Sequence, residues 1–136
     1  MSESRAHIEL VAIAVDYVKT LVSPELHAII QYDSADSTRP TKVIGNYIPD
    51  VYFWNREQLI IGEAKTINDF DRPHSCAQYD AYIKECKTFF GKSTLVISVP
   101  WQIVVTAKNY FRRMKRDLEA DVSIVIINEL GWHFEI

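Results

Sequence analysis

The sequence predicts an α/β fold, a central mixed β-sheet with helices packed on its faces, in the order α-β-β-β-α-β-α-β-β. Three observations predict it. The runs TLVISV (94–99) and VSIVIIN (122–128) are continuously apolar, as strands covered on both sides are. Each follows a segment of helical period, which makes strand-helix-strand crossovers. Two earlier strand candidates are separated only by Asn55-Arg56-Glu57, a hairpin-length connection.

The elements follow in order. From Glu3 to Leu21 the chain is apolar nearly all round (Ile8, Val11, Ala12, Val15, Val18, Leu21) and reads as a buried helix ended before Ser23-Pro24. Leu26 to Tyr32 reads as a short strand, and DSADSTRPTK as a polar loop of turn formers. Tyr47–Trp54 and Gln58–Thr66 form the hairpin. Ser75–Phe90 carries Tyr79, Tyr82, Ile83, Cys86 and Phe90 at helical spacing, with Gly91 as its stop. Gln102–Leu118 is a second amphipathic helix, with Ala107, Tyr110, Phe111, Met114 and Leu118 inward. Gly131 turns the chain into a last strand, Trp132–Ile136. Trp54 and Trp101 read as packing residues rather than base-stacking platforms.

At 136 residues the chain is expected to form one domain over 1–136, and its apolar (48%) and charged (24%) shares are those of an ordinary globular chain. No apolar run reaches the roughly 18 residues that span a bilayer. The opening MSESRAHIEL lacks the basic-then-apolar pattern of a signal peptide, so cytoplasmic residence is expected. Cys76 and Cys86 are the only cysteines, and the four histidines are scattered, which argues against a zinc site and for reduced thiols. The net charge of −3 is unevenly spread: Lys84, Lys87, Lys92, Lys108, Arg112, Arg113, Lys115 and Arg116 face one acid, Glu85, over residues 81–116. That is either a solvated basic face or a surface for polyanion.

The chemistry gathers in IPDVYFWNREQLIIGEAKT, residues 48–66, where Asp50, Glu63 and Lys65 interrupt apolar sequence. Residues two apart on a strand point the same way, so Glu63 and Lys65 share a face with Leu59 and Ile61. The hairpin sets Asp50 beside Glu63. Adjacent carboxylates repel, and one would take up a proton unless a divalent cation removes the penalty; hard oxygen donors suit Mg²⁺ or Mn²⁺. The bland alternatives are a turn aspartate at Asp50 and a structural ion pair between Glu63 and Lys65.

Pro49-Asp50 followed by Glu63-Ala64-Lys65 on consecutive strands resembles the PD-(D/E)XK nucleases. The resemblance runs from about Glu3 to Val99 and implies the restriction-endonuclease-like αβββαβ core. Gln78 and Tyr82, a Gln-x-x-x-Tyr on the following helix, resemble an accessory motif of the RecB-like lineage. PHSCAQ resembles the VRR-NUC branch, and the small size resembles archaeal Holliday-junction resolvases, whose serine would be Ser34 or Ser37; the branch stays open.

The resemblance implies Mg²⁺-assisted hydrolysis of phosphodiester bonds in DNA more than RNA. Asp50, Glu63, the Ala64 carbonyl and Glu9 would hold the metal, with Glu3 or His7 as alternatives to Glu9. Lys65 would orient the attacking water, and Gln78 and Tyr82 would support it. Tyr82 equally fits a plain core position. A minimal core implies a homodimer or a protein partner, and no membrane. The alternative reading is an inactive module of the same fold that binds nucleic acid or protein.

Overall fold

The computed structural model describes residues 4–33 and 40–136, and its centre is one six-stranded sheet. Helix α1 (Arg5–Leu21) and a short 3-10 turn (Pro24–Ile29) precede strand β1 (Gln31–Tyr32). Strands β2 (Val51–Trp54) and β3 (Gln58–Ala64) form the hairpin. Helix α2 (Pro73–Thr88), β4 (Lys92–Ser98), helix α3 (Val104–Asp117), β5 (Ser123–Ile127) and β6 (His133–Glu135) complete the chain. The strands lie in chain order, β1 to β6. The central pairs β3–β4 and β4–β5 are parallel, and β1–β2, β2–β3 and β5–β6 are antiparallel. The expected mixed sheet flanked by helices is what forms.

Period-two alternation divides the core. Leu59 and Ile61 of β3, Leu95 and Ile97 of β4, and Ile124 and Ile126 of β5 pack with Tyr79, Tyr82, Ile83 and Phe111 of α2 and α3. Ile60, Ala64, Val96 and Ile127 point to the other face and pack with Leu10, Val11, Ala14, Val15 and Val18 of α1. The sheet is thus sandwiched between α1 and the α2–α3 pair. Among the described residues no helix is long and apolar enough to cross a membrane.

Two glycines mark close approaches. Gly62 pairs with Val51 across the hairpin, and a Cβ there would lie 2.8 Å from the Val51 Cβ. Gly91 does not stop α2 through a left-handed turn. It lets the chain pass the hairpin tip, where a Cβ would meet the Glu57 carbonyl oxygen at 2.3 Å, and the Lys92 N–H donates to that oxygen. In the tip the Asn55 side-chain oxygen accepts from the N–H groups of Glu57 and Gln58, at 2.9 and 2.8 Å.

Several elements differ from the sequence reading. Leu26–Ile29 belongs to the 3-10 turn begun by Pro24, so only Gln31 and Tyr32 of the expected strand pair. Tyr47 makes an isolated bridge with Ile44, and β2 starts at Val51. Helix α1 is buried along one side only, with Ile8 exposed. Phe90 lies beyond α2 and is fully exposed, and Trp54 and Trp101 are half exposed rather than packed.

Candidate active site

The hairpin register positions the acids. Val51 pairs with Gly62, so the next residues outward, Asp50 and Glu63, face each other at the end of the sheet. Asp50, Glu63 and Lys65 are 9%, 4% and 9% exposed, a degree of burial that charged groups tolerate only with partners. Each has them. The Ala64 N–H donates to Asp50 Oδ2 at 2.9 Å, and His7 Nε2 lies 3.2 Å from the same oxygen. Glu63 Oε2 is 3.5 Å from Lys65 Nζ, and the Tyr82 hydroxyl donates to Glu63 Oε1 at 3.2 Å. Lys65 Nζ also donates to Gln78 Oε1. Lys65 continues the β3–β4 ladder by donating its N–H to the Ser98 carbonyl at 3.0 Å, which holds its backbone in register.

Burial raises the Glu63 pKa well above the ordinary carboxylate range, and the neighbouring charge of Asp50 raises it further; Lys65 and the Tyr82 hydroxyl oppose the shift. The mutual repulsion expected of the two carboxylates is present. Burial, and then Glu63, raise the Tyr82 pKa, so its hydroxyl stays a donor.

Of the sequence-derived residues, Asp50, Glu63, Ala64, Lys65, Gln78 and Tyr82 come together. Tyr82 is at once fully buried core and a partner of Glu63. Glu9 does not join them: its side chain is 65% exposed and lies 3.4 Å from Arg5. His7 is the α1 residue that reaches Asp50. At about 100° per residue, His7 falls on the same arc as Leu10, Ala14 and Val18, whereas Glu9 lies on the opposite side, so the helical period carried the signal. Ser4 caps α1, its hydroxyl accepting from the His7 N–H at 3.1 Å, which fixes that first turn. Glu3, Ser34 and Ser37 lie outside the described residues.

His7, Asp50, Glu63 and Gln78 line one cavity of about 340 Å³, together with Asp33, Ile48 and Pro49. No family model, curated protein or solved structure matches the chain. The site's chemistry therefore rests on its own side chains.

Among the described residues no group of three or more histidine, cysteine, aspartate or glutamate side chains is arranged to hold a metal ion. Two neighbouring carboxylates, Asp50 and Glu63, are nonetheless donors suited to Mg²⁺. That ion keeps several waters and is commonly held by one or two carboxylates plus substrate phosphate. Burial, and then the charge of Asp50, raise the Glu63 pKa, and a cation held there would offset that repulsion.

The basic residues gather elsewhere. Lys84 and Lys87 lie toward the end of α2, Arg112–Arg116 toward the end of α3, and Lys92 opens β4 opposite Gln58, at the far end of β3 from Glu63. Several have structural partners. Lys87 and Lys115 donate to the carbonyls of Leu118 and Ile136, Lys84 pairs with Asp80, and Lys108 sits 4.3 Å from the Phe134 ring centre.

Proposed function

We propose that the protein is a metal-dependent nuclease of the PD-(D/E)XK kind, with a restriction-endonuclease-like core, that hydrolyses phosphodiester bonds of DNA. One observation carries the reading: Asp50, Glu63 and Lys65 converge, buried, at the end of the hairpin, and Asp50 and Glu63 border a cavity shared with His7 and Gln78. Asp50, Glu63 and the Ala64 carbonyl are the groups that would hold Mg²⁺ or Mn²⁺. Such an ion supplies charge neutralisation at the phosphate and a lowered pKa for water. Lys65, steadied by Gln78, places a positive charge where negative charge develops on the phosphate oxygens. Tyr82 orients Glu63, and His7 and the Ala64 N–H orient Asp50, as outer partners of ligating carboxylates do.

The test is Mg²⁺-dependent nicking of plasmid and branched DNA. Asp50→Ala is expected to reduce it at least about a hundredfold. Millimolar Mg²⁺ is expected to raise the melting temperature of the parent chain by mass action, and not that of the variant. Absence of both effects would sink the reading.

The closure of the polar network favours a second reading. Asp50 and Lys65 already have hydrogen-bonding partners in the chain, as the inactive binding module of the same fold would require. It predicts DNA or protein binding that is indifferent to Mg²⁺ and to Asp50→Ala.

A further inference from the structure

Strand β6 ends the sheet, and among the described residues no strand pairs with its outer side. Its hydrogen-bonding pattern is fixed by β5. Ile136 and Ile124 exchange N–H···O bonds at 2.8 and 3.5 Å, and the Asn128 N–H donates to the Trp132 carbonyl at 3.2 Å. Ladder bonds fall on alternate residues, so Trp132, Phe134 and Ile136 address β5, and the peptide groups of His133 and Glu135 point away from it. The side chains divide between the two faces of the sheet. Phe134 and Ile136 pack on the α2–α3 side, whereas the His133 ring meets Tyr17 of α1, 5.0 Å between centres. Trp132 shares the parity of Phe134 and is 63% exposed. Apart from its shortness, β6 carries none of the usual edge guards: neither lysine nor proline occurs in Trp132-His133-Phe134-Glu135-Ile136, and no bulge interrupts its register.

We propose that two copies of this chain join through β6, antiparallel about a two-fold axis at Phe134, into one continuous sheet. Strands β4 and β5 separate β6 from β3, so the inference stands apart from the nuclease reading. The edge is complementary to itself. With Phe134 at the axis, His133 falls opposite the second copy's Glu135, and the outward peptide groups of each such pair exchange both of their N–H···O bonds. An imidazole, which offers an N–H, then stands beside a carboxylate, which accepts. On the other face Trp132 falls opposite the second copy's Ile136, and Phe134 opposite itself, at the non-hydrogen-bonded positions where side chains come closest. Other registers lose this match. Only His133 and Glu135 offer outward groups, so the nearest alternatives set Glu135 against Glu135, like charges face to face, or His133 against His133, and keep half of the main-chain bonds. Pairing of β6 with the far edge, β1, would propagate without closing, whereas β6 on β6 closes at the dimer. The contact is small and fits a weak, reversible association.

The experiment is sedimentation velocity of the full chain between about 2 and 200 µM at neutral pH. The parent chain is expected to pass from monomer to dimer across that range, as a small interface does. His133→Glu sets glutamate against glutamate at both symmetry-related pairs and is expected to weaken the dimer at least about tenfold. Adding Glu135→His exchanges the two residues and restores acid opposite imidazole. The dissociation constant is then expected to return to within about threefold of the parent's. Both positions are exposed, so folding is expected to survive, and circular dichroism verifies it. Amide hydrogen exchange of the parent chain locates the contact: the His133 and Glu135 N–H groups are expected to exchange more slowly as the dimer forms. A monomer throughout the range overturns the proposal. So does a dimer indifferent to His133→Glu, a double variant that stays monomeric, or a dimer in which these two amides exchange as fast as in the monomer.

Discussion

Glu63 is where burial and charge conflict most sharply. Desolvation and Asp50 both favour its protonated form in the folded chain, above the ordinary value of 4.5. A carboxyl whose pKa is raised on folding binds protons more readily in the native state, so its contribution is fully present below the unfolded pKa and is lost as pH rises through the folded one. In EDTA the melting temperature is therefore expected to fall from about pH 4.5 upward, with a slope of at most about 1.4 kcal/mol per pH unit from this group. Glu63→Gln should flatten the profile; an unchanged slope would place the titrating group elsewhere. The Tyr82 hydroxyl can be separated from its ring. Tyr82→Phe keeps the buried aromatic surface but removes the donor to Glu63 Oε1. Expected are a stability loss of about 1 kcal/mol in urea melts and, on the proposed nuclease reading, a roughly tenfold fall in Mg²⁺-dependent cleavage, the size typical of a missing outer partner.

The hairpin is the element that makes the site. Gly62 lets β2 and β3 approach closely enough for Asp50 to lie beside Glu63, because a Cβ at 62 would press on Val51 at 2.8 Å. Gly62→Ala is expected to destabilise the fold by about 1–3 kcal/mol in chemical denaturation. Adding Val51→Ala should recover part of that loss, a non-additivity expected of residues that touch; strict additivity would show that the close approach is not the cause. Much of this element was legible in the sequence. Alternation over Leu59, Ile61, Glu63 and Lys65 shows one face, and the short Asn55–Glu57 connection brings Asp50 alongside. Strands β4 and β5 were legible because continuous apolar runs have few other solutions in an α/β chain. Less legible was what local sequence decides weakly. Pro24 begins a 3-10 turn that takes up most of an apolar segment resembling a strand. The choice between Glu9 and His7 depends on which side of α1 faces the sheet. Both Gly91 and the exposure of Trp101 depend on which neighbouring segments pack there, and no single-segment pattern encodes that.

At the scale of the whole molecule, the buried acids and the exposed basic residues sit toward different ends of the strands, the latter interspersed with acids such as Asp80 and Asp117. Acids converge where β3 ends, and the exposed basic residues Lys84, Arg112 and Arg116 lie toward the opposite end, beside the start of β4. Glu63 is five residues beyond Gln58, the partner of Lys92, which places the two ends about 17 Å apart. A strand of three nucleotides, about 10 Å long when stacked at roughly 3.4 Å each, does not span that distance. Length therefore separates the two roles that a basic surface can have. If this face tracks phosphates, the triple variant Lys84→Ala, Arg112→Ala, Arg116→Ala should bind a 30-nucleotide single strand with a salt slope lower by about 2, near 0.7 for each phosphate no longer neutralised. Binding of a three-nucleotide strand, and its cleavage in Mg²⁺ on the nuclease reading, should change less than about twofold, because a strand of that length does not span the two ends. Salt titrations of both strands make the comparison. A solvated face predicts no change in either, and weakening confined to the short strand would place the basic residues beside the acids, against the geometry of the sheet.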